Sequence, residues 1–120
     1  MPTKSGSALT NEAKQRIREI SVGDVRAMQA RGVPAVYLDV REQNEWNLGH
    51  LPQATFLPRG LLEGHVEQHV PRDATVVVYC AAGNRSALAA DTMQQMGYTD
   101  VRSMAGGIRA WVDAGGELED

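Results

Sequence analysis

At 120 residues, with 42% hydrophobic and 22% charged side chains, the chain suits one globular domain with an adequate core and leaves no room for a second. A formal charge of −3 and a pI near 5.6 provide no basic footprint for nucleic acid or an anionic membrane surface. A lone cysteine, Cys80, excludes an internal disulfide and a cysteine-rich zinc site, and any sulfur it carried would have to leave to an external acceptor.

Met1 to Leu9 is polar and lacks the apolar run of a signal peptide. It reads as a flexible leader, with residues 10–120 as the domain. No stretch approaches membrane-spanning length, which points to a cytoplasmic protein with no membrane partner. Thr10 or Asn11 is placed to cap a helix running through Ile17, and Ile20 reads as a short strand. Ser21 and Asp24 have capping-box spacing, Val25, Met28 and Gln29 continue a helix, and Gly32 and Pro34 end it.

Ala35 to Val40 is a buried-strand pattern whose end carries Asp39 and Arg41, most simply a structural ion pair. Glu42 to Leu48 should form a short helix or turn leading to Gly49, His50 and Pro52. Thr55 to Leu57 reads as a strand stopped by Pro58. Arg59 then stands at a strand's C-terminal end, where open α/β sheets hold ligands, either charging a pocket or simply solvated. Gly60 to Val70 reads as a helix with Leu61, Leu62 and Val66 inward. His65 and His69, four apart on it, have metal-ligand spacing but no obvious third ligand, so a solvated pair is expected.

Val76 to Tyr79 is a continuous β-branched and aromatic run suited to a strand buried on both faces. After Ser86 the period changes: Ala89, Met93 and Met96 recur at helical spacing, and Gly97 fits the residue just past the helix end. Cys80 therefore lies between a central strand and a helix, with the small residues Ala81, Ala82, Gly83 and Asn84 forming the turn. Asp100 to Met104 reads as a last strand. Gly106 and Gly107 make a close turn, Ile108 and Trp111 anchor a final helix, and a polar tail follows from Ala114.

A short turn feeding a helix points unpaired N–H groups inward, which suits an anion such as a thiolate. Lowering a thiol from about 8.5 to about 6.5 requires roughly 2.7 kcal/mol. The helix dipole supplies only about 0.3–1 kcal/mol, so several N–H bonds to the sulfur, with Arg85 nearby, have to supply the rest. Cys80 is the expected nucleophile.

CAAGNRS at 80–86, LDVREQNEWNLGHLPQA at 38–54 and MAGGIRAW at 104–111 resemble, in order, the active-site loop and the two flanking signatures of the rhodanese sulfurtransferases. The resemblance implies a three-layer α/β fold, a central, mainly parallel sheet of about five strands with helices on both faces. It implies that Cys80 becomes a persulfide, with sulfur arriving from thiosulfate or another persulfide. Cyanide, a thiol or a sulfur-carrier protein would remove it, without metal or cofactor. Backbone groups of Ala81, Ala82, Gly83, Asn84, Arg85 and Ser86 would bind the anion, Arg85 bracing the loop or attracting the donor and Ser86 capping the helix and donating a bond towards the sulfur. Asp39, Arg41, His50, Gly106 and Gly107 would support the site.

Two other classes stay open. Phosphatases of the same fold place five residues between cysteine and arginine, whereas four separate Cys80 from Arg85. A non-catalytic or persulfide-carrying binding module is the third. Many relatives also carry an Arg or Lys within the loop, where this chain has Ala81, Ala82 and Asn84, so thiosulfate is less firmly implied than the sulfur chemistry.

Overall fold

The computed structural model describes residues 3–120, so Met1 and Pro2 of the expected leader lie outside the described residues. In chain order these are α1 (Gly6–Arg16), β1 (Arg18–Ile20), α2 (Val22–Ala30), β2 (Val36–Asp39), α3 (Gln43–Asn47) and β3 (Ala54–Phe56), then α4 (Leu62–His69), β4 (Thr75–Tyr79), α5 (Asn84–Gln95), β5 (Asp100–Met104) and α6 (Gly107–Asp113). The strands form one sheet in the order β1-β5-β4-β2-β3, and every pairing is parallel. Parallel neighbours need crossovers, and the helices between strands supply them.

β4 sits at the centre because its apolar run can be buried on both faces. Val76 and Val78 face Leu62, Val66, Ala89 and Met93 of α4 and α5, whereas Val77 and Tyr79 face Val25, Met28, Ile108 and Trp111 of α2 and α6. The result is the expected three-layer α/β architecture. Val76, Val77 and Val78 are each fully buried, and each such side chain contributes roughly 1.5–3 kcal/mol. From β2 the chain moves outward to β3, and from β4 it moves the other way to β5. The C-terminal ends of β2 and β4 thus flank the point where the order reverses, where such sheets place their ligands.

Two local expectations are corrected. The first helix begins at Gly6, not after Thr10: the Ser5 hydroxyl accepts from the Ala8 N–H at 3.0 Å, while Thr10 bonds back to the Gly6 carbonyl from within the helix. Gly6 to Leu9, expected in a flexible leader, are therefore helical. Arg16 pins this helix to α5 through two bonds to Asp91, of 3.0 and 2.9 Å. Leu61, expected inward, is 49% exposed because a 3-10 turn (Arg59–Leu61) precedes α4 and points it to solvent.

Candidate active site

Cys80 directly follows β4 and continues its alternation, so its side chain joins Val76 and Val78 on the α5 side. The turn through Ala81, Ala82 and Gly83 then delivers the chain to α5. Gly83 takes a φ of 105°, and a side chain there would press against the Gly106 backbone nitrogen. This bend aims the Gly83 N–H at the Cys80 sulfur from 3.1 Å and the Ser86 N–H from 3.4 Å. Asn84 opens α5 and is exposed.

The loop's outward side is fixed as firmly as its inward side. The carbonyls of Cys80 and Ala81 accept from the N–H groups of Ile108 and Arg109, at 2.8 and 3.2 Å. Those donors belong to the first turn of α6 and have no partner within their own helix. The Ala81 carbonyl and the Ala82 N–H share a peptide group, so anchoring the first outward turns the second inward. The backbone can come this close only because Gly107 has no side chain: a Cβ there would overlap both carbonyl oxygens, and its φ is 61°.

Burial pushes the Cys80 thiol up, since the residue is only 1% exposed. Bonds from the Ser86 hydroxyl and from the N–H groups of Ser86, Gly83 and Ala82 outweigh that cost and hold the thiol below its ordinary value. Ser86 does not take the expected cap position: Gly83 is the residue before α5, so Ser86 lies within its first turn. Its hydroxyl stands 3.5 Å from the sulfur and 2.8 Å from that of Ser103, a fully buried residue of β5.

Arg85 does not turn into the loop. It forms two bonds with Glu45 of α3, at 2.7 and 3.0 Å, and so braces α3 against the start of α5. The Arg85 bond is the main reason that the Glu45 carboxyl is held down at about 2. Beside this brace runs a groove of about 500 Å³ lined by Arg41, Glu45, Leu48, Ile108, Arg109 and Leu118. Because the carboxyl falls from 4.5 to about 2 on folding, its contribution is full above pH 4.5 and disappears as pH drops through about 2. Glu45→Gln should cost about 0.5–1 kcal/mol at pH 7, the pair being partly exposed. The gap in melting temperature from the wild type should shrink near pH 2, and an equal gap at both pH values would contradict this account.

Asp39 and Arg41 form a buried pair under the same end of the sheet. Arg41 reaches the carboxylate with Nε and Nη2, at distances from 2.8 to 3.1 Å, and its Nη2 also donates to the Gly49 carbonyl at 2.8 Å. The Tyr79 hydroxyl accepts from the Leu51 N–H at 3.1 Å, and burial, with Asp39 nearby, pushes this phenol well above its ordinary value. The His50 ring stacks on Trp46 with centroids 3.4 Å apart, and its backbone pairs with Glu119. It is held by Trp46 and Glu119 and, among the described residues, makes no hydrogen bond to the loop.

Arg59 is bonded to Glu63 at 2.9 Å and to Thr92 at 3.2 Å. Thr92 lies six residues beyond Ser86, about 9 Å along the helix, so this guanidinium is not brought to the sulfur. His65 and His69 are exposed, and no group of three metal-ligating side chains occurs among the described residues. Nor is any helix of the described residues long and apolar enough to cross a membrane. Glu45 and Ser103 are the site residues that sequence reasoning passed over: one lies 40 positions from its partner and the other 17, and neither separation leaves a local pattern.

The sequence profile of the rhodanese-like domain matches residues 21–114. The chain is 33% identical over 93 residues to the probable adenylyltransferase/sulfurtransferase MoeZ of Mycobacterium tuberculosis, a match covering 77% of this chain and 24% of that protein. It thus spans about a quarter of the length of the curated relatives it matches. Among solved structures, a Rhodopseudomonas palustris protein of unknown function, RPA3614, described as a possible tyrosine phosphatase, has a TM-score of 0.90 and 35% identity over 99% of this chain and 97% of its own. The human single-domain sulfurtransferase TSTD1 has a TM-score of 0.73 and 26% identity, over 79% of this chain and 95% of its own. The matched profile runs from the cap of α2 to the end of α6 and takes in the Cys80 loop with both flanking signatures; the chain belongs to the rhodanese-like domain family.

Proposed function

We propose that this domain is a sulfurtransferase that works through a persulfide on Cys80. The thiolate attacks the outer sulfur of thiosulfate or of a persulfide, a new S–S bond forms, the donor's S–S bond breaks, and sulfite or a thiol leaves with its electron pair. Cyanide, a thiol or a sulfur-carrier protein then attacks the terminal sulfur and returns Cys80 to the thiolate. The observation that carries this reading is the cradle of N–H donors aimed at the sulfur, from Gly83 at 3.1 Å and Ser86 at 3.4 Å. Such a cradle stabilises an anionic sulfur before and after transfer without reorganising. The similarity to MoeZ, a probable adenylyltransferase/sulfurtransferase, and to the sulfurtransferase TSTD1 supports the same class of chemistry. A lone thiol that must stay reduced between turnovers fits the cytoplasm.

The likeness to RPA3614 favours a second reading, phosphoester hydrolysis by the same thiolate. Two features weigh against it: only four residues separate Cys80 from Arg85, and the Arg85 guanidinium is already occupied by Glu45. One experiment separates these readings. Wild type and Cys80→Ala are assayed for thiocyanate from thiosulfate and cyanide, for sulfide from a persulfide donor and thiol, and for p-nitrophenyl phosphate hydrolysis. Cys80-dependent sulfur transfer with no phosphate release is expected. Phosphate release alone would overturn the proposal, and the absence of all three would leave a binding module.

A further inference from the structure

We propose that Ser103 is a positioning residue that turns the Ser86 hydroxyl proton toward the Cys80 sulfur and so favours its ionised, attacking form. The inference deepens the reading of Cys80 as a nucleophile and rests on it. Ser103 sits on β5, paired with Val78 of β4, and is fully buried. Among the described residues the Ser103 hydroxyl makes one hydrogen bond, 2.8 Å to the Ser86 hydroxyl, which in turn stands 3.5 Å from the sulfur.

The three groups form a short chain whose protons can be counted. In the thiol, the S–H donates to the Ser86 oxygen, Ser86 donates to Ser103, and the Ser103 proton is left without an acceptor in a dry interior. In the thiolate the chain runs the other way: Ser103 donates to Ser86, Ser86 donates to the sulfur, and both hydroxyl protons are used. The thiol proton leaves to solvent, and the two hydroxyls only rotate. A buried donor without a partner is costly, and a bond to a charged acceptor is stronger than one to a neutral one. Both effects favour the thiolate. Ser86 alone cannot achieve this, because its hydroxyl has one proton and needs a second donor to keep that proton pointed at the sulfur.

The test is the titration of Cys80, read both from thiolate absorbance and from the pH dependence of alkylation, in wild type, Ser103→Ala, Ser86→Ala and the double variant. None of these readouts requires sulfur transfer, so failure of the proposed reaction and failure of this inference are told apart. Ser103→Ala should lower the thiolate fraction at neutral pH roughly three- to tenfold. In a Ser86→Ala background the same substitution should do nothing further, since Ser103 acts through Ser86. Should Ser103→Ala fold poorly, Ser103→Thr and Ser103→Val form a matched pair in which only threonine keeps the hydroxyl. Titration unchanged in Ser103→Ala, additive effects of the two alanines, or equal titrations for threonine and valine would each overturn the proposal.

Discussion

Arg41→Ala should destabilise the domain by about 3–5 kcal/mol, seen as a fall in melting temperature of roughly 10–20 °C. The magnitude follows from what is left behind. Asp39 is fully buried and receives the Arg41 backbone N–H, Nε and Nη2, so truncation strands a carboxylate in the interior. The Gly49 carbonyl loses its donor as well. The pair itself is not a large net source of stability, because both charges had to leave water. The double variant Asp39→Asn/Arg41→Met should therefore melt above Arg41→Ala. A single variant melting within about 2 °C of wild type would show that the pair is dispensable.

Gly107→Ala should be nearly as costly to the fold and far more damaging to the site. The added methyl would overlap the carbonyl oxygens of Cys80 and Ala81, both backbone atoms that cannot swing aside. Overpacking costs about 1–3 kcal/mol, and a left-handed backbone adds about 1–2 kcal/mol for a residue with a side chain. To relieve the clash, the loop must leave α6, breaking the bonds from Ile108 and Arg109 and rotating the inward N–H groups away from the sulfur. Sulfur transfer should fall about 100-fold, the scale of a 1 Å misplacement, and the alkylation pH profile should move toward that of a free thiol. Gly64→Ala provides the control: a Cβ there meets nothing within 4 Å, inside α4. It should raise stability by about 0.5–1 kcal/mol.

The parts of the site that could be read from sequence are those whose physics is local. The Val76–Tyr79 run, the small residues after Cys80 and the change to helical spacing after Ser86 each mark neighbours along the chain, and together they place Cys80 at the end of a central strand. Glu45 could not be found this way. It reads as one polar residue of a short helix, and only the fold brings Arg85 to it. Ser103 is hidden for the same reason: a small polar residue in a strand has no signature until its hydroxyl meets that of Ser86. Arg59 shows the converse: its position at a strand's end left a pocket charge and a solvated side chain both open, and the structure pairs it with Glu63, four residues on in the chain. At the N-terminus, Ser5 and Thr10 are both competent caps by type, and it is the Ser5 hydroxyl that accepts from the first turn, at the Ala8 N–H.

The most direct test of the central claim is the intact mass of the protein after exposure to thiosulfate or a small persulfide, in wild type and Cys80→Ala, with and without later cyanide. A gain of one sulfur atom that requires Cys80 and disappears with cyanide is the predicted result. No gain with either donor, or a gain that survives in Cys80→Ala, would contradict the account.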